Sequence, residues 1–283
     1  MPHTELSASP PNDQWWREYL ERGHHLEGAA RLLFPFLPSP PRCKICYVPF
    51  GGPVGAVMRV LGWAPSRKNP KLCARCCERL PPGGAEIDAA VFFADVRGYT
   101  GFAERLSPTR LADAMSRFYE AAIHAVVHHD GLVDKLLGDA VMALFIPGVS
   151  GPNYRLKALR ATAYLMRQLN DTTSPSPWPI GMGLHAGPAF VGNLGSDQVV
   201  DLTAKGDTVN VASRLQGVAA PGEILITQEL VALATRDFGD LECRTVTLNT
   251  AEARIGRGNN SAGLAREREE LFRKRVLDIE NRV

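Results

Sequence analysis

Between Ile87 and Val96 the chain reads I-D-A-A-V-F-F-A-D-V, and R-G-Y-T follows. A run this rich in Val, Phe and Ala predicts a strand buried on both faces. Asp95 resists that environment, because burying an unpaired carboxylate costs on the order of several kcal/mol. Two arrangements remove the cost: a cation beside the carboxylate, or a strand-end position from which Asp95 caps the helix after the Gly98 turn. Taken alone, the stretch favours the cap.

What the rest of the chain attracts bears on that choice. The net charge is +2, with 32 basic and 30 acidic side chains and a pI near 8.2. Nearly balanced charge gives no electrostatic case for nucleic acid or an anionic membrane as the main partner, so any polyanion bound is small. The N-terminus, M-P-H-T-E-L-S-A-S-P-P-N-D, lacks the apolar core of a signal peptide, and no stretch reaches about twenty apolar residues. The expectation is a soluble, cytoplasmic protein with no membrane partner.

Five of the six cysteines fall between Cys43 and Cys77, and Cys243 stands alone. Cys43-Lys-Ile-Cys46 and Cys73-Ala-Arg-Cys76-Cys77 are two C-x-x-C knuckles in one short segment. They put four thiolates within reach of one tetrahedral ion, the pattern of a structural zinc site, with Cys43, Cys46, Cys73 and Cys76 as ligands. Cys77 competes with Cys76 for the fourth place, and an iron-sulfur cluster is the alternative occupant.

Four regions follow from texture: a helical segment at 1–38, the Cys-rich module at 39–82, a regular α and β domain at 86–250 and a charged helix or tail at 251–283. His24 and His25 are expected to face solvent. Within the large domain, Ser107-Pro108 opens a helix whose stripe is Leu111, Met115, Phe118, Ala122 and Val126. His124, His128 and His129 on it read as surface or interface residues. A strand pair from Leu132 turns at Gly138-Asp139, and a further helix spans 153–169. Two strands split at Gly187-Pro188 follow, with His185 as a packed strand histidine. A helix beginning at Asp207 places Asn210 and Arg214 on one face, and E-I-L-I-T at 223–227 is a short strand.

The order β-α-β-β-α-β is a ferredoxin-like α+β plan with a small N-terminal Cys-rich module beside it. It puts Asp95 at a strand end and Asp139 at a hairpin tip. Two carboxylates about 4 Å apart repel by roughly 4 kcal/mol at an effective dielectric near 20, and a divalent ion between them reverses that sign. Oxygen ligands with open positions suit Mg²⁺ or Mn²⁺ carrying a polyphosphate.

F-A-D-V-R-G-Y-T, D-K-L-L-G-D, G-L-H-A-G and G-D-T-V-N-V-A-S-R-L, in that order over about residues 86–230, resemble the motifs of the class III nucleotidyl cyclase catalytic domain. The resemblance implies Asp95 and Asp139 as ligands of two metal ions, assisted by the Val96 carbonyl. It implies that backbone N–H groups of Arg97, Gly98, Tyr99 and Thr100 cradle phosphate. Lys135 and Thr203 fall where the family selects the base, in a combination similar to that of bacterial adenylyl cyclases. A Lys donor meets an acceptor at adenine N1 and a protonated N1 in guanine, which favours ATP. Asn210 would orient the ribose and Arg214 would stabilise charge on the α-phosphate.

Both residue sets stand in one chain, so the resemblance implies a homodimer with shared sites. The family's late Gly-rich segment with a triphosphate-binding Lys has no clear counterpart in R-T-V-T-L-N-T-A-E-A-R-I-G-R-G-N-N, where Arg254 or Arg257 would substitute. The reading is an adenylyl cyclase regulated through its cysteine module. Its rivals are a guanylyl or relaxed-specificity cyclase and a nucleotide-binding or metal-sensing scaffold.

Overall fold

The computed structural model describes residues 12–22, 40–78, 80–170, 179–195, 200–239, 242–247 and 268–275. Helix α1 (Asp13–Arg22) comes first, and α2 (Gly52–Val60) lies between the two cysteine knuckles. The large domain begins with β1 (Gly83–Val96), four residues longer at its start than the apolar run suggests. Then come α3 (Tyr99–Arg105), α4 (Pro108–His128), β2 (Leu132–Leu137), β3 (Ala140–Phe145), α5 (Pro147–Ser150) and α6 (Tyr154–Asn170). They are followed by β4 (Ile180–Gly195), β5 (Val200–Lys205), α7 (Asp207–Val218), β6 (Glu223–Thr227), α8 (Gln228–Phe238), β7 (Glu242–Thr247) and β8 (Arg268–Arg275).

β1 alternates as a doubly buried strand must. Ala90, Phe92, Ala94 and Val96 face α4, α6 and α8, where Phe118, Leu165, Met166 and Leu230 fill the layer. Ile87, Ala89, Val91 and Phe93 face the other way, onto Trp16 and Leu20 of α1 and onto the cysteine module. The module therefore covers the second face of the sheet. Of the residues expected to form the apolar stripe of α4, Met115, Phe118, Ala122 and Val126 are buried. Ser107 caps that helix by accepting from the Arg110 N–H, and Pro108 occupies its first turn, where no N–H partner is needed.

The sheet order is β2-β3-β1-β4-β6-β8-β7, with β5 paired to β4. Its first four strands, all antiparallel, give the ferredoxin-like plan. β6 then joins β4 in parallel. His185 is buried in β4 with Nδ1 2.7 Å from the Thr227 hydroxyl, a packed strand histidine as expected.

Two expectations need correction. β4 is one strand of 16 residues, not two split at Gly187-Pro188. Pro188 fits because its carbonyl accepts from Thr208 Oγ1 at 2.5 Å, on the side away from β1, so its missing N–H also lies away from that ladder. Arg268–Arg275, expected within a charged helix, instead forms β8 between β6 and β7. The free edge of β6 offers backbone partners that outweigh local helix preference. The remaining tail, His24 and His25, and Arg254 and Arg257 lie outside the described residues.

Candidate active site and cysteine cluster

The end of β1 and the tip of the β2–β3 hairpin are tied by backbone. Asp95 stands opposite Ala140 of β3 and Gly181 of β4, and the Val96 N–H donates to the Asp139 carbonyl at 3.0 Å. The Tyr119 hydroxyl, from α4, donates to the Gly138 carbonyl and holds the turn from its other side. Sequence placed Asp95, Val96 and Asp139 together, and the fold does the same. Burial pushes the Asp95 carboxyl up, Arg97 opposes that, and the nearby Asp139 adds to it. The Asp139 carboxylate has no ion-pair or hydrogen-bond partner among the described residues. Two adjoining carboxylates, one resisting ionisation and one unpaired, fit a divalent cation with oxygen ligands.

Arg97 is placed differently from the expectation. Its backbone N–H is committed to the Pro179 carbonyl at 2.6 Å, so it is not available to a phosphate. Its guanidinium lies across Gly181, where an added Cβ would come within 2.2 Å of Nε. From there it stands 3.5 Å from Asp95 and donates to the carbonyls of Gln216 and Gly217 at the end of α7. That end of a helix carries partial negative charge and suits a cation. Arg97 thus couples the first carboxylate to the helix of Asn210 and Arg214. Gly98 has φ +72°, a left-handed conformation that suits glycine, and from it the chain turns into α3 at Tyr99 and Thr100.

Lys135 and Thr203 meet through Asp134. The Lys135 ammonium donates to Asp134 Oδ1 at 2.8 Å and to the Thr203 hydroxyl at 2.7 Å, and that hydroxyl donates to Asp134 Oδ2 at 2.7 Å. The Asp134 side chain is fully buried, so its hydrogen bonds fix both partners. Successive strand residues normally point to opposite faces, but the β2 register shifts between Val133 and Lys135. That bulge lets neighbours Asp134 and Lys135 serve one site. Asp201 of β5 adds a contact to Lys135 at 3.3 Å. Sequence reading missed both aspartates; only the D-K dipeptide hinted at the first.

Asn210 and Arg214 lie one turn apart on α7, Asn210 exposed and Arg214 half-buried. Neither side chain is hydrogen-bonded or ion-paired to another described residue. Their surroundings leave both free to meet a ligand.

The four cysteines of the knuckles come together. The sulfurs of Cys43, Cys46, Cys73 and Cys76 all lie within 4.8 Å of one another and all four residues are buried. Cys77 is also buried but outside that group, which makes Cys76 the fourth member; burial pushes the Cys77 thiol up. Hydrogen bonds from Cys46, Cys73 and Cys76 push the Cys43 thiol down, while donation to Cys43 pushes Cys46 and Cys76 up. The Cys73 N–H also donates to the Cys43 sulfur at 3.3 Å. Zn–S bonds of about 2.3 Å place tetrahedral sulfurs about 3.8 Å apart; Cys46 and Cys73 stand at 3.6 Å. With all four sulfurs within 4.8 Å of one another, the group fits a single ion better than a cluster whose thiolates sit on separate irons.

The module is fastened to the large domain by charge. Lys44 and Lys71 of the module reach the Asp130 carboxylate at 3.1 and 2.8 Å, and Lys157 of α6 joins them there at 2.8 Å. Asn69 donates to the Gly131 carbonyl at 2.9 Å, and the Tyr19 hydroxyl donates to the Cys76 carbonyl at 2.7 Å. Burial alone would push Asp130 up, but hydrogen bonds from Lys157, Lys71 and Lys44 outweigh it and hold the carboxyl well below the usual range.

No helix among the described residues is long and apolar enough to cross a membrane. Among known proteins, the adenylate cyclase of Anabaena cylindrica is 32% identical over 150 residues, 50% of this chain and 30% of that one. Adenylate cyclase 1 of Rhizobium meliloti is 31% identical over 137 residues, 46% of this chain and 21% of that one. This chain thus spans less than a third of the length of these relatives. The adenylyl cyclase CyaB from P. aeruginosa shares the fold with a TM-score of 0.53 at 28% identity, over 68% of this chain and 96% of that one. The guanylyl cyclase Cya2 gives 0.54 at 22% identity, over 68% and 93%, and bears on the fold alone. Residues 85–260 match the adenylate and guanylate cyclase catalytic domain, the stretch that holds Asp95, Asp139, Lys135, Thr203, Asn210 and Arg214, and the chain belongs to that family.

Proposed function

We propose that the protein is an adenylyl cyclase, converting ATP to 3′,5′-cyclic AMP and pyrophosphate at sites shared between two copies of the chain. The observation that carries the choice of ATP is the Lys135–Thr203 pair set on buried Asp134. An ammonium there donates to the unprotonated N1 of adenine and repels the N1–H of guanine. Asp95, Asp139 and the Val96 carbonyl would hold Mg²⁺ or Mn²⁺, which supplies charge neutralisation at the polyphosphate and acidity at the ribose 3′-OH.

The chain's own residues do the rest. Asn210 orients the ribose so that the 3′ oxygen faces the α-phosphorus, and Arg214 offers a fixed guanidinium fork to the charge developing there. Gly98, Tyr99 and Thr100 present the turn into α3 to the phosphates. The bond from the 3′ oxygen to the α-phosphorus forms, the α–β bridging bond breaks, and pyrophosphate departs with that electron pair. The 3′ proton passes to solvent, because among the described residues no side chain is set up as its base. The side chains of Asn210 and Arg214 lack partners among the described residues and would serve the nucleotide held at the carboxylates of a second copy, which supports the homodimer.

The cysteine cluster would hold one Zn²⁺ that braces the module, and five reduced cysteines suit a cytoplasmic setting. Metal analysis with an absorbance spectrum distinguishes colourless zinc from a coloured iron centre.

The test is cyclic nucleotide formation from ATP and from GTP with Mn²⁺, with Asp95→Ala as control. ATP preference lost on Lys135→Glu is expected; GTP preference in the wild type overturns the assignment. Mixing Asp139→Ala with Asn210→Ala protein should restore activity in heterodimers, and failure to do so removes the shared site.

A further inference from the structure

We propose that Lys68, in the loop between the cysteine knuckles, is a positioning residue for the nucleobase site and acts on Lys135 through Asp201. The inference rests on the nucleotide reading of Lys135 given above. An ammonium has three N–H donors. Lys135 gives two of them to Asp134 Oδ1 at 2.8 Å and Thr203 Oγ1 at 2.7 Å, and its ammonium is ion-paired to Asp201 Oδ2 at 3.3 Å. A base acceptor that takes the third N–H draws the ammonium away from one of these partners. Asp134 is fully buried and also accepts from Thr203, so releasing it would strand a buried charge. Asp201 makes the longest contact and its side chain is 32% exposed, which makes it the partner that yields.

What Asp201 does when Lys135 turns to the base depends on its other oxygen. Asp201 Oδ1 is ion-paired to Lys68 Nζ. With Lys68 in place, Asp201 gives up Lys135 and stays paired. Without Lys68, Lys135 is the cation left to Asp201 among the described residues, and the nucleotide must break that pair. Lys68 is itself held by its loop. Ser66 Oγ donates to Glu78 Oε1 at 2.7 Å, the Arg67 N–H donates to the same oxygen at 3.0 Å, and the Lys68 N–H donates to Ser66 Oγ at 3.1 Å. Asn69, 1% exposed, docks on Gly131, and Cys73 of the cluster follows a few residues on. The same short loop thus touches the entry to β2, which carries Lys135, and β5, which carries Thr203. In this way an intact cysteine site sets the nucleobase pocket, over a distance in sequence that pattern reading does not bridge.

The experiment uses the full chain as wild type, Lys68→Ala, Lys68→Arg, Asp201→Asn and the Lys68→Ala/Asp201→Asn double variant. Each is measured for equilibrium binding of 3′-deoxy-ATP and for ATP kinetics. Lys68→Ala should raise Kd and KM about threefold, within the range of a partly exposed ion pair, with kcat unchanged. Lys68→Arg should restore the wild-type values. In the Asp201→Asn background, Lys68→Ala should have no effect, because the carboxylate it offsets is gone. An equal Lys68→Ala effect in both backgrounds, an effect on kcat alone, or none in the wild type overturns the proposal. Wild type that binds 3′-deoxy-ATP but forms no cyclic nucleotide sinks the cyclase reading and leaves the binding cycle to decide Lys68. Failure to bind the nucleotide sinks both.

Discussion

Asp130 and Asp95 are aspartates at strand boundaries of one sheet, and their surroundings drive them in opposite directions. Asp130, just before β2, has three lysine partners and is held well below the usual carboxylate range. Asp95, at the end of β1, has one arginine at 3.5 Å and a second carboxylate for company, and is pushed up. The first is a finished joint that docks the cysteine module. The second has too little positive charge for its two carboxylates, and a site short of a cation in a family that works on nucleotides is a place for metal and phosphate. Substitution at the two should therefore part stability from activity.

The largest effect is expected at the metal pair. Asp139→Ala should lower cyclic AMP formation at least about 100-fold while leaving the melting temperature nearly unchanged, because the Asp139 side chain has no partner to lose among the described residues. Matched losses of activity and stability would show that the hairpin tip is a structural joint like Asp130. Next comes the cluster: Cys46→Ser should remove bound metal and destabilise the module by about 3 kcal/mol, since it leaves three buried thiols without their ion. Metal analysis of the variant, with its melting curve, checks both.

Much of this contrast was legible in sequence, and the illegible part has a physical reason. The two-sided burial of β1, the Gly138-Asp139 turn and the shared face of Asn210 and Arg214 follow from local periods, and the structure keeps all three. Gly187-Pro188 looked like a break because proline lacks a donor, yet β4 runs through it where its other edge needs none. The charged stretch at Arg268–Arg275 looked helical because nothing local shows the free edge of β6. The Lys68–Asp201–Lys135–Asp134–Thr203 network joins three distant stretches and depends on a bulge, so no window of sequence contains it. Cys76 and Cys77 differ by one position in sequence, and only the turn after Cys73 decides which sulfur enters the cluster.

At Asp130 the contrast turns into a pH dependence. Asn tolerates the positive φ of 60° that Asp130 adopts, so Asp130→Asn removes charge and spares the backbone. A depressed carboxylate contributes stability that is present above its unfolded pKa of about 3.9 and is lost as pH falls through the folded value. Asp130→Asn should therefore cost about 2 kcal/mol near neutrality, between the figures for exposed and buried pairs, and the gap to wild type should begin to narrow below about pH 4 and close only as pH falls through the folded value. A gap that persists in acid would assign the loss to packing.

Asp95→Asn gives the smallest effect and the opposite sign. A raised carboxylate favours the folded state while protonated, at pH below the unfolded pKa, and that contribution is lost as pH rises through the folded value. Metal-free wild type at neutral pH therefore carries a folding penalty at this position, reduced by partial exposure and by Arg97. Removing it should stabilise the metal-free protein by less than about 1 kcal/mol, with the gain shrinking as pH is lowered. Mn²⁺ with a non-cyclisable nucleotide should then reverse the ranking. Wild type gains the linkage energy of a bound ligand, and the variant, with half its carboxylate pair replaced by an amide, gains less. Melting curves at two pH values, with and without Mn²⁺ and nucleotide, read all four states. If Asp95→Asn lowered stability in the metal-free protein, the ion pair to Arg97 would outweigh burial, and Asp95 would belong with Asp130 as a joint.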